Sequence, residues 1–333
     1  MANLAIVGAT GAVGQEFLNI LAQRDFPVDD LRLLATKRSA GRTVVWRDRE
    51  IEVRETTRDS FRGVDIALFA GGSDSAVFAD AAVGAGAVVI DNSSAFRMRP
   101  DVPLVVPEVN AADIRGHNGI IANPNCSTII LAVAVKPIED AARIRRLVVS
   151  TYQAVSGAGR DGMTELEDQL RCWAAGEPIS PHRVFPYQIA FNLIPQIDVF
   201  QDEDYTKEEW KMTRETQKIF HRPDLLVTAT CVRAPVFRSH AESVNIETEN
   251  RITPAEAKAL LERAPGVRLA DDIRAARYPM PLETTDQDDV FVGRVRADLT
   301  TAHGLNMWIS GDQLRKGAAL NAVQIAELLQ EVR

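Results

Sequence analysis

NLAIVGATGAVG, residues 3–14, is the stretch that decides the fold. An apolar run, Asn3–Val7, leads into glycines spaced GxxGxxG, and a helical pattern, Val13–Gln23, follows. Glycines at this spacing permit a tight turn and a close approach of backbone N–H groups to a phosphate at a helix N-terminus. The same glycines could simply pack a helix on a strand, but their position between a strand and a helix is the one that nucleotide binding requires. We predict nucleotide contacts from Gly8, Thr10, Gly11, Ala12 and Val13.

The first 125 residues alternate short apolar runs with helical patterns. The predicted buried strands are Asn3–Val7, Leu31–Ala35, Asp65–Ala70, Ala87–Ile90 and Gly119–Ala122, and the predicted helices are Val13–Gln23 and Ser75–Gly84. Strands that alternate with helices indicate βαβ units in a parallel, doubly wound sheet. Ligands of such sheets bind at the carboxyl ends of the strands. The fold class is therefore predicted to be α/β, beginning with a Rossmann-type dinucleotide-binding domain.

From about Ile144 the pattern changes to longer strands. The predicted strands are Arg145–Ala154, Leu225–Val232, Val236–Glu249 and Val290–Leu299, and the predicted helices are Gly162–Ala175, Lys207–Phe220 and Thr253–Glu262. Their alternation fits a mixed or antiparallel sheet with helices on one face. The Pro-rich connection between Glu177 and Pro195 is expected to pack on a partner subunit.

The change of pattern divides the chain into two predicted domains. Residues 1–125 form the nucleotide-binding domain, and residues 126–312 form a second, α+β domain. The last segment, 313–333, has helical periodicity and few breakers, so we expect it to return to the first domain as a terminal helix.

Composition limits the classes of partner. The 333-residue chain has 46% apolar and 25% charged residues and a formal net charge of -8, which disfavours nucleic acid and anionic membranes as partners. It has no signal-peptide pattern and no apolar run long enough to span a bilayer. Its three cysteines are widely spaced, which argues for a reducing compartment and against disulfides. We expect a cytoplasmic protein with a small-molecule substrate.

The loop after the second predicted strand indicates which dinucleotide binds. A site that prefers NAD usually carries Asp or Glu there, to bind the ribose 2′-hydroxyl. This chain instead has Thr36-Lys37-Arg38-Ser39-Ala40-Gly41. Two cations and a hydroxyl suit a 2′-phosphate, although a solvated basic turn would look the same. We predict NADP as cofactor, with Arg38, Ser39 and Ala40 in contact with it.

Cys126 is the candidate nucleophile. It lies in Asn123–Thr128, after a predicted strand and before the apolar helical run Ile129–Val135. The free N–H groups and the dipole at a helix N-terminus stabilise a thiolate, which is the form that attacks an acyl carbon. Cys172 and Cys231 have the surroundings of ordinary packing cysteines. The five histidines have no spacing typical of a metal site, and none is predicted.

Several motifs, in order along nearly the whole chain, resemble those of the aspartate-semialdehyde dehydrogenase family. They are Gly8–Gly14, Ser94–Arg97, Asn123–Thr128, Tyr152–Gly159, Glu208–Lys211 and Val232–Val244. The resemblance implies a Rossmann domain followed by an α+β catalytic and dimerisation domain, and a homodimer. It also implies reversible, NADP-linked conversion of aspartyl 4-phosphate to aspartate 4-semialdehyde, a step in lysine, threonine and methionine biosynthesis.

The resemblance assigns roles to residues. Cys126 would be the nucleophile, His240 the general acid/base and Gln153 the residue that orients the substrate. Arg233 would bind the α-carboxylate and Glu208 would face the α-ammonium. Arg97 and Lys211 would bind the phosphate, and Ser156, Gly157 and Gln313 would contact the nucleotide. Independently of the resemblance, we expect the backbone N–H groups at the start of the Cys126 helix, helped by Asn125, to stabilise the oxyanion that forms on attack. Without the resemblance, Glu208 and Lys211 would be interpreted as a solvated helix face, and His240 as a structural histidine.

Two other functions stay open. N-acetyl-glutamyl-phosphate reductase shares the chemistry, but its substrate has a blocked amine, for which a carboxylate such as Glu208 is of no use. A non-catalytic relative would keep the nucleotide loop and lose the cysteine or the histidine, and both are present here. A cysteine hydrolase would leave Gly8–Gly14 unexplained.

Overall fold

A computed structural model describes residues 2–72 and 74–332 of the chain. These residues form two compact units. Unit 1 contains the described residues up to Asn125 together with those from Gly317 onward, and unit 2 contains Cys126–Lys316.

Unit 1 is a doubly wound α/β domain. In chain order its elements are β1 (Ala2–Val7), α1 (Ala12–Gln23), β2 (Val28–Ala35), β3 (Thr43–Trp46), β4 (Arg49–Glu55), β5 (Ile66–Phe69), α2 (Asp74–Gly84), β6 (Val88–Asp91), α3 (Pro107–Asn110) and β7 (Ile120–Ala122). The described strands pair in the order β3-β4-β2-β1-β5-β6-β7. All pairs are parallel except the β3–β4 hairpin. The prediction of a parallel, Rossmann-type sheet is confirmed.

The core of unit 1 explains why its strands have continuous apolar runs. β5 and β6 are buried at every position, as expected for strands that are covered on both faces. Phe17 and Leu21 of α1 share this core with Val323 and Ala326 near the end of the chain.

Unit 2 is built around a mixed sheet. Its elements are α4 (Cys126–Ala142), β8 (Ile144–Gln153), α5 (Gly159–Ala174), α6 (Lys207–Ile219), β9 (Leu226–Arg233), β10 (His240–Thr248), α7 (Pro254–Leu261), β11 (Val267–Leu269), α8 (Pro281–Thr284), β12 (Val290–Ala297) and β13 (Gly304–Gly311). The described strands pair in the order β11-β12-β13-β10-β8-β9. Helices α4, α6 and α7 pack on this sheet. Of the three helices predicted to cover it, α6 and α7 do so, whereas α5 packs on the turn Val155–Ala158 instead.

Alternating burial along β8 and β10 separates the two faces of the sheet. The buried face of β8 carries Val149, Thr151 and Gln153, and that of β10 carries His240 and Glu242. Because side chains alternate across a strand, these residues point toward the helical layer. One row of side chains across the buried face consists of Glu242, Thr151 and Cys231, which lie opposite one another on three neighbouring strands.

Three details differ from the predicted elements. The strand expected at Val236–Glu249 begins only at His240, because Val236–Ser239 form a loop in which Ser239 has a positive φ of 70°. The hairpin β3–β4 and the strands β11 and β13 were not predicted. The terminal α-helix, α9 (Leu320–Val332), begins later than Gln313 and follows a π-helical turn, Arg315–Ala319.

The described helices include none that is long and apolar enough to cross a membrane.

Candidate active site

Cys126 is the first residue of α4, with its thiol partly exposed. The first N–H groups of a helix have no intrahelical partner, and the dipole there favours negative charge. The helix that follows is almost wholly buried from Ser127 to Val135, because its apolar residues lie against the sheet. Burial of α4 therefore holds Cys126 in a fixed position.

His240 begins β10 and is fully buried. Its Nδ1 accepts a hydrogen bond from the backbone N–H of Ala154 at 3.1 Å. In the neutral ring the hydrogen must then be on Nε2, which has no hydrogen-bond partner among the described residues. Burial, and after it the charge of Arg233, hold the pKa of His240 well below its usual 6.5. The ring is thus neutral and presents one unused N–H.

Arg233 ends β9 and is also buried. Its Nη1 donates to the backbone oxygen of Ala154 at 2.7 Å, so this one residue holds both Arg233 and His240. Burial lowers the pKa of Arg233, whereas Glu208, Cys126 and Cys231 act in the opposite direction. The nucleophile candidate therefore lies within electrostatic range of the guanidinium.

Gly157 leaves open the space beside the same two side chains. A Cβ added at Gly157 would lie 2.7 Å from Nη1 of Arg233 and 3.3 Å from Cε1 of His240. No other residue type leaves this space open. A side chain at Gly157 would therefore displace the Arg233 guanidinium and press on the His240 ring.

Glu208 and Lys211 lie one turn apart on α6. Glu208 is buried and accepts from Gln153 Nε2 at 3.3 Å and from Lys211 Nζ at 2.9 Å. Lys211 also contacts Asp198 at 3.3 Å. The structure thus joins Gln153, Glu208 and Lys211 in one polar network, where helix periodicity alone indicated a solvated face.

Gln313 and Ser156 are linked to each other inside unit 2. The Gln313 side chain is buried; its Nε2 donates to the Ser156 hydroxyl and its Oε1 accepts from the backbone N–H of Ser239 at 2.7 Å. Ser239 directly precedes His240. The amide of Gln313 thus joins the loop of Ser156 and Gly157 to the start of β10.

The glycine loop of unit 1 has the geometry of a phosphate-binding turn. Gly8 has a φ of 82°, a conformation that favours glycine, and Gly11 is the exposed N-cap of α1 with no side-chain cap. A Cβ at Gly14 would lie 2.3 Å from the backbone oxygen of Gly8. Thr10, Ala12 and Val13 are half-buried beside this turn. The open helix N-terminus suits an anionic phosphate.

The loop after β2 presents the two predicted cations to solvent. Lys37 and Arg38 are exposed, Ser39 is buried and Ala40 is half-buried. The N–H of Ser39 donates to the backbone oxygen of Thr36 at 2.9 Å, which closes the turn.

Arg97 and Asn125 belong to unit 1 and are both buried. Arg97 Nη2 donates to the backbone oxygen of Asn92 at 2.7 Å, in the loop after β6. Asn125 directly precedes Cys126. The described part of the chain contains no group of three or more metal-binding side chains.

Sequence reasoning missed Ala154, whose role is carried by backbone atoms that no residue pattern reveals. It also missed Ser239, whose left-handed conformation ends the loop before His240. Left-handed non-glycine residues are uncommon and concentrate at functional sites.

Comparison with known sequences assigns both parts of the chain. Residues 3–117 match the family described as Semialdehyde dehydrogenase, NAD binding domain. Residues 135–316 match the family described as Semialdehyde dehydrogenase, dimerisation domain.

Whole proteins and solved structures agree with this match. The aspartate-semialdehyde dehydrogenase of Aquifex aeolicus is 54% identical over 330 residues, which cover 98% of this chain and 97% of that protein. The crystal structure of aspartate semialdehyde dehydrogenase II from Vibrio cholerae, complexed with ASA, is 49% identical with a TM-score of 0.96 and covers 99% of this chain and 98% of its own. That of the Candida albicans enzyme with NADP is 25% identical with a TM-score of 0.77, covering 99% and 98%. This chain is therefore an NAD(P)-dependent oxidoreductase that belongs to the aspartate-semialdehyde dehydrogenase family.

Proposed function

We propose that the chain reduces L-aspartyl 4-phosphate to L-aspartate 4-semialdehyde and phosphate through a thioester on Cys126, with NADPH as reductant. The observation that carries the proposal is the arrangement in unit 2, where Cys126 starts a buried helix within electrostatic range of Arg233. Arg233 in turn shares Ala154 with His240. The curated relatives and the ASA complex named above support the choice of substrate.

The first step is attack of the Cys126 thiolate on the acyl carbon. The C–S bond forms and the bond from that carbon to the phosphate oxygen breaks, so that phosphate leaves with the electron pair and takes one proton from solvent. Backbone N–H groups of the first turn of α4, with Asn125, are proposed to stabilise the oxyanion. Arg97 and Lys211 are proposed to balance the charge of the phosphate.

NADPH, when bound, supplies the hydride that reduces the thioester. The resulting alkoxide then re-forms a carbonyl and expels the Cys126 thiolate. His240 was expected to act as general acid/base. The hydrogen bond from Ala154 to Nδ1 favours a narrower role, in which the neutral ring donates a hydrogen bond from Nε2 to the carbonyl oxygen. No net proton is needed in this step, because the negative charge of the alkoxide leaves with the Cys126 thiolate when the carbonyl re-forms.

The substrate carries charges of both signs at its α-carbon. Arg233 has a planar fork that suits the α-carboxylate, and Glu208, which is also buried and whose charge raises the pKa of Arg233 against the larger effect of burial, suits the α-ammonium. Gln153 is hydrogen-bonded to Glu208 and is proposed to orient the substrate.

NADP fits the residues of unit 1. The turn from Gly8 to Val13 would hold the pyrophosphate, and Arg38, Ser39 and Ala40 would surround the 2′-phosphate. The loop after β2 contains no acidic residue from Thr36 to Gly41, where a carboxylate would mark NAD. Ser156, Gly157 and Gln313 stay proposed contacts of the nucleotide.

The proposed assembly is a homodimer through unit 2. This unit matches a dimerisation domain and exposes several large apolar side chains, among them Trp173, Tyr187, Phe191 and Leu193. Tyr187, Phe191 and Leu193 lie in the connection that we expected to pack on a partner. The proposed metabolic place is the aspartate route to lysine, diaminopimelate, threonine and methionine.

The test is the oxidative direction, in which NADP+ is reduced in the presence of phosphate and a semialdehyde. We expect turnover with aspartate semialdehyde and little with N-acetylglutamate semialdehyde, and a higher kcat/KM for NADP+ than for NAD+. Cys126→Ser should bind NADPH normally but keep less than about 1% of the activity, because an essential nucleophile contributes several orders of magnitude. Preference for the acetylated substrate would instead support N-acetyl-glutamyl-phosphate reductase.

A further inference from the structure

Glu209, next to Glu208 on α6, uses its carboxylate to join two secondary-structure elements. Its Oε2 accepts from the backbone N–H of Thr206 at 2.7 Å, which completes a capping box at the start of α6. Its Oε1 accepts from the backbone N–H of Cys231 in β9 at 2.9 Å. The side chain is buried, so both hydrogen bonds are shielded from water.

β9 is an edge strand among the described residues, and its outer N–H groups need partners outside the sheet. At Arg233 the partner is the backbone of Ile194, and at Cys231 it is the carboxylate of Glu209. An ordinary capping box satisfies only its own helix. Glu209 does this and also fixes the start of α6 against β9.

This attachment fixes the spacing between two proposed substrate ligands. Glu208 precedes Glu209 on α6, and Arg233 follows Cys231 by two residues, which places Arg233 and Cys231 on the same face of β9. Any shift of α6 along β9 would therefore move Glu208 relative to Arg233.

We infer that Glu209 is a positioning residue, which sets the distance between the ammonium ligand Glu208 and the carboxylate ligand Arg233 by joining α6 to β9. The inference rests on the proposed function for the roles of those two ligands. Glu209 does not touch the substrate and acts only through its neighbours.

The experiment compares Glu209→Ala, which loses both hydrogen bonds, with Glu209→Gln, which keeps one acceptor oxygen. Glu256→Ala is the matched control, because Glu256 has the same capping-box position on α7 but is exposed and makes no described hydrogen bond beyond Thr253. We expect Glu209→Ala to raise the KM for aspartate semialdehyde about tenfold, the factor that corresponds to about 1.4 kcal/mol. Glu209→Gln should show a smaller rise, and the KM for NADP+ should change in neither.

A double-mutant cycle with Glu208→Gln separates positioning from general damage. If Glu209 acts through Glu208, the double variant should have a KM within about threefold of that of Glu208→Gln alone, because coupled residues are not additive. The inference would be overturned if the increases in KM of the two single variants multiplied in the double variant, or if Glu256→Ala raised the KM as much as Glu209→Ala. The proposed function would remain intact in either case. A normal KM for aspartate semialdehyde in Glu208→Gln would show that Glu208 does not bind the ammonium group. That result would overturn both the inference about Glu209 and the role of Glu208 in the proposed function.

Discussion

At His240, the hydrogen bond from Ala154 decides which chemistry the side chain can perform. A protonated Nδ1 would point its hydrogen at the N–H of Ala154, so formation of an imidazolium is opposed by this contact as well as by burial and Arg233. The resemblance implies a general acid/base, and the geometry favours a donor. The two roles therefore predict different activities for variants at His240.

We predict that His240→Ala loses about 10²- to 10³-fold in kcat, the usual cost of removing one oxyanion donor. His240→Gln should keep at least about ten times more activity than His240→Ala, because its amide can donate a hydrogen bond but cannot act as an acid or base. The wild-type kcat should show no limb from His240 between pH 6 and pH 8, since its pKa lies well below 6.5. Equal losses in both variants, with a limb in that range, would restore the acid/base role.

A substitution at Gly157 tests how closely the positions of Arg233 and His240 are constrained. Its φ is not in the left-handed region, so alanine could adopt the backbone conformation, and only the space toward Arg233 and His240 is missing. We predict that Gly157→Ala lowers kcat/KM at least about tenfold, because displacement of groups near the chemistry is costly. Gly84→Ala, where an added Cβ meets nothing within 4 Å, is the control and should be silent. A fully active Gly157→Ala would show that Arg233 and His240 tolerate the displacement.

How much of the site the sequence could predict depends on the kind of signal. The position of Cys126 before an apolar helix predicted its place at the start of α4, which is where it lies. Glu208, Lys211 and His240 became candidates only through the family resemblance, because their partners are distant in sequence. Gln153, for example, lies 55 residues from Glu208, with which it shares a hydrogen bond.

Among the elements, the strands of unit 1 with continuous apolar runs were predictable, whereas the hairpin β3–β4 and the inner, largely buried strand β13 were not. The hairpin between β3 and β4 turns at Arg47 and Asp48, both with positive φ. Such turns usually carry Asn-Gly or Asp-Gly, so Arg-Asp gives no hairpin signal. The two strands are also largely exposed and rich in charge, which conceals the period-two pattern of β structure.

The contacts between elements of unit 2 include ion pairs of Arg222, one largely buried and one at the surface, that sequence periodicity does not reveal. Arg222 donates to Glu139 of α4 at 2.6 Å and to Asp224 at 2.8 Å, and Glu139 also accepts from the backbone N–H of Ile144 at the start of β8. Arg222 holds the pKa of Asp224 at about 2, below its ordinary 3.8. The stability that this pairing contributes is present above pH 4 and is lost as the pH falls toward 2.

We therefore predict that Arg222→Met lowers the free energy of unfolding by about 2 kcal/mol near neutral pH, because it removes the cation beside the largely buried carboxylate of Glu139. Urea unfolding at pH 7 and near pH 2 would measure the free energy of unfolding of both proteins. The difference between the variant and wild type should be smaller at the lower pH. Arg171→Ala breaks an exposed pair with Glu167 on α5 and should cost less than about 0.5 kcal/mol. Equal effects of the two substitutions would mean that burial of the Arg222 network contributes nothing.

For the whole molecule, the sequence could predict the α/β class and led us to expect that the terminal segment returns to the first domain, but local patterns do not specify which residues of distant segments meet. Alternation of strands and helices is a local property, so it predicted the confirmed Rossmann-type sheet. The place of α9 is a long-range property: Glu327 pairs with Arg24 at 2.7 Å, 303 residues away in the chain. A terminal helix was expected, but its first residue depends on the π-helical turn before Leu320, for which no sequence signal was available.

Glu242 links one buried group to the stability of the whole fold. It is fully buried on β10, two residues from His240, and neither carboxyl oxygen has a hydrogen-bond partner among the described residues. Burial raises its pKa well above the ordinary 4.5, so the folded state favours the neutral acid. A carboxyl whose pKa is raised on folding contributes fully to stability below its unfolded pKa, and this contribution is lost as the pH rises through the folded value.

Glu242→Gln should therefore remove a pH-dependent penalty, since an amide of nearly the same shape does not ionise. We predict that the variant and the wild type have similar Tm values near pH 4 and that the variant becomes the more stable of the two as the pH rises toward 8. Differential scanning calorimetry across this range measures the effect, and Glu249→Gln, at an exposed glutamate beyond the end of β10, is the control that should not alter the slope. If Glu242→Gln is instead destabilising at every pH by the same amount, the carboxyl makes a hydrogen bond that the amide cannot replace. The pH dependence of the fold would then have to originate at other buried groups.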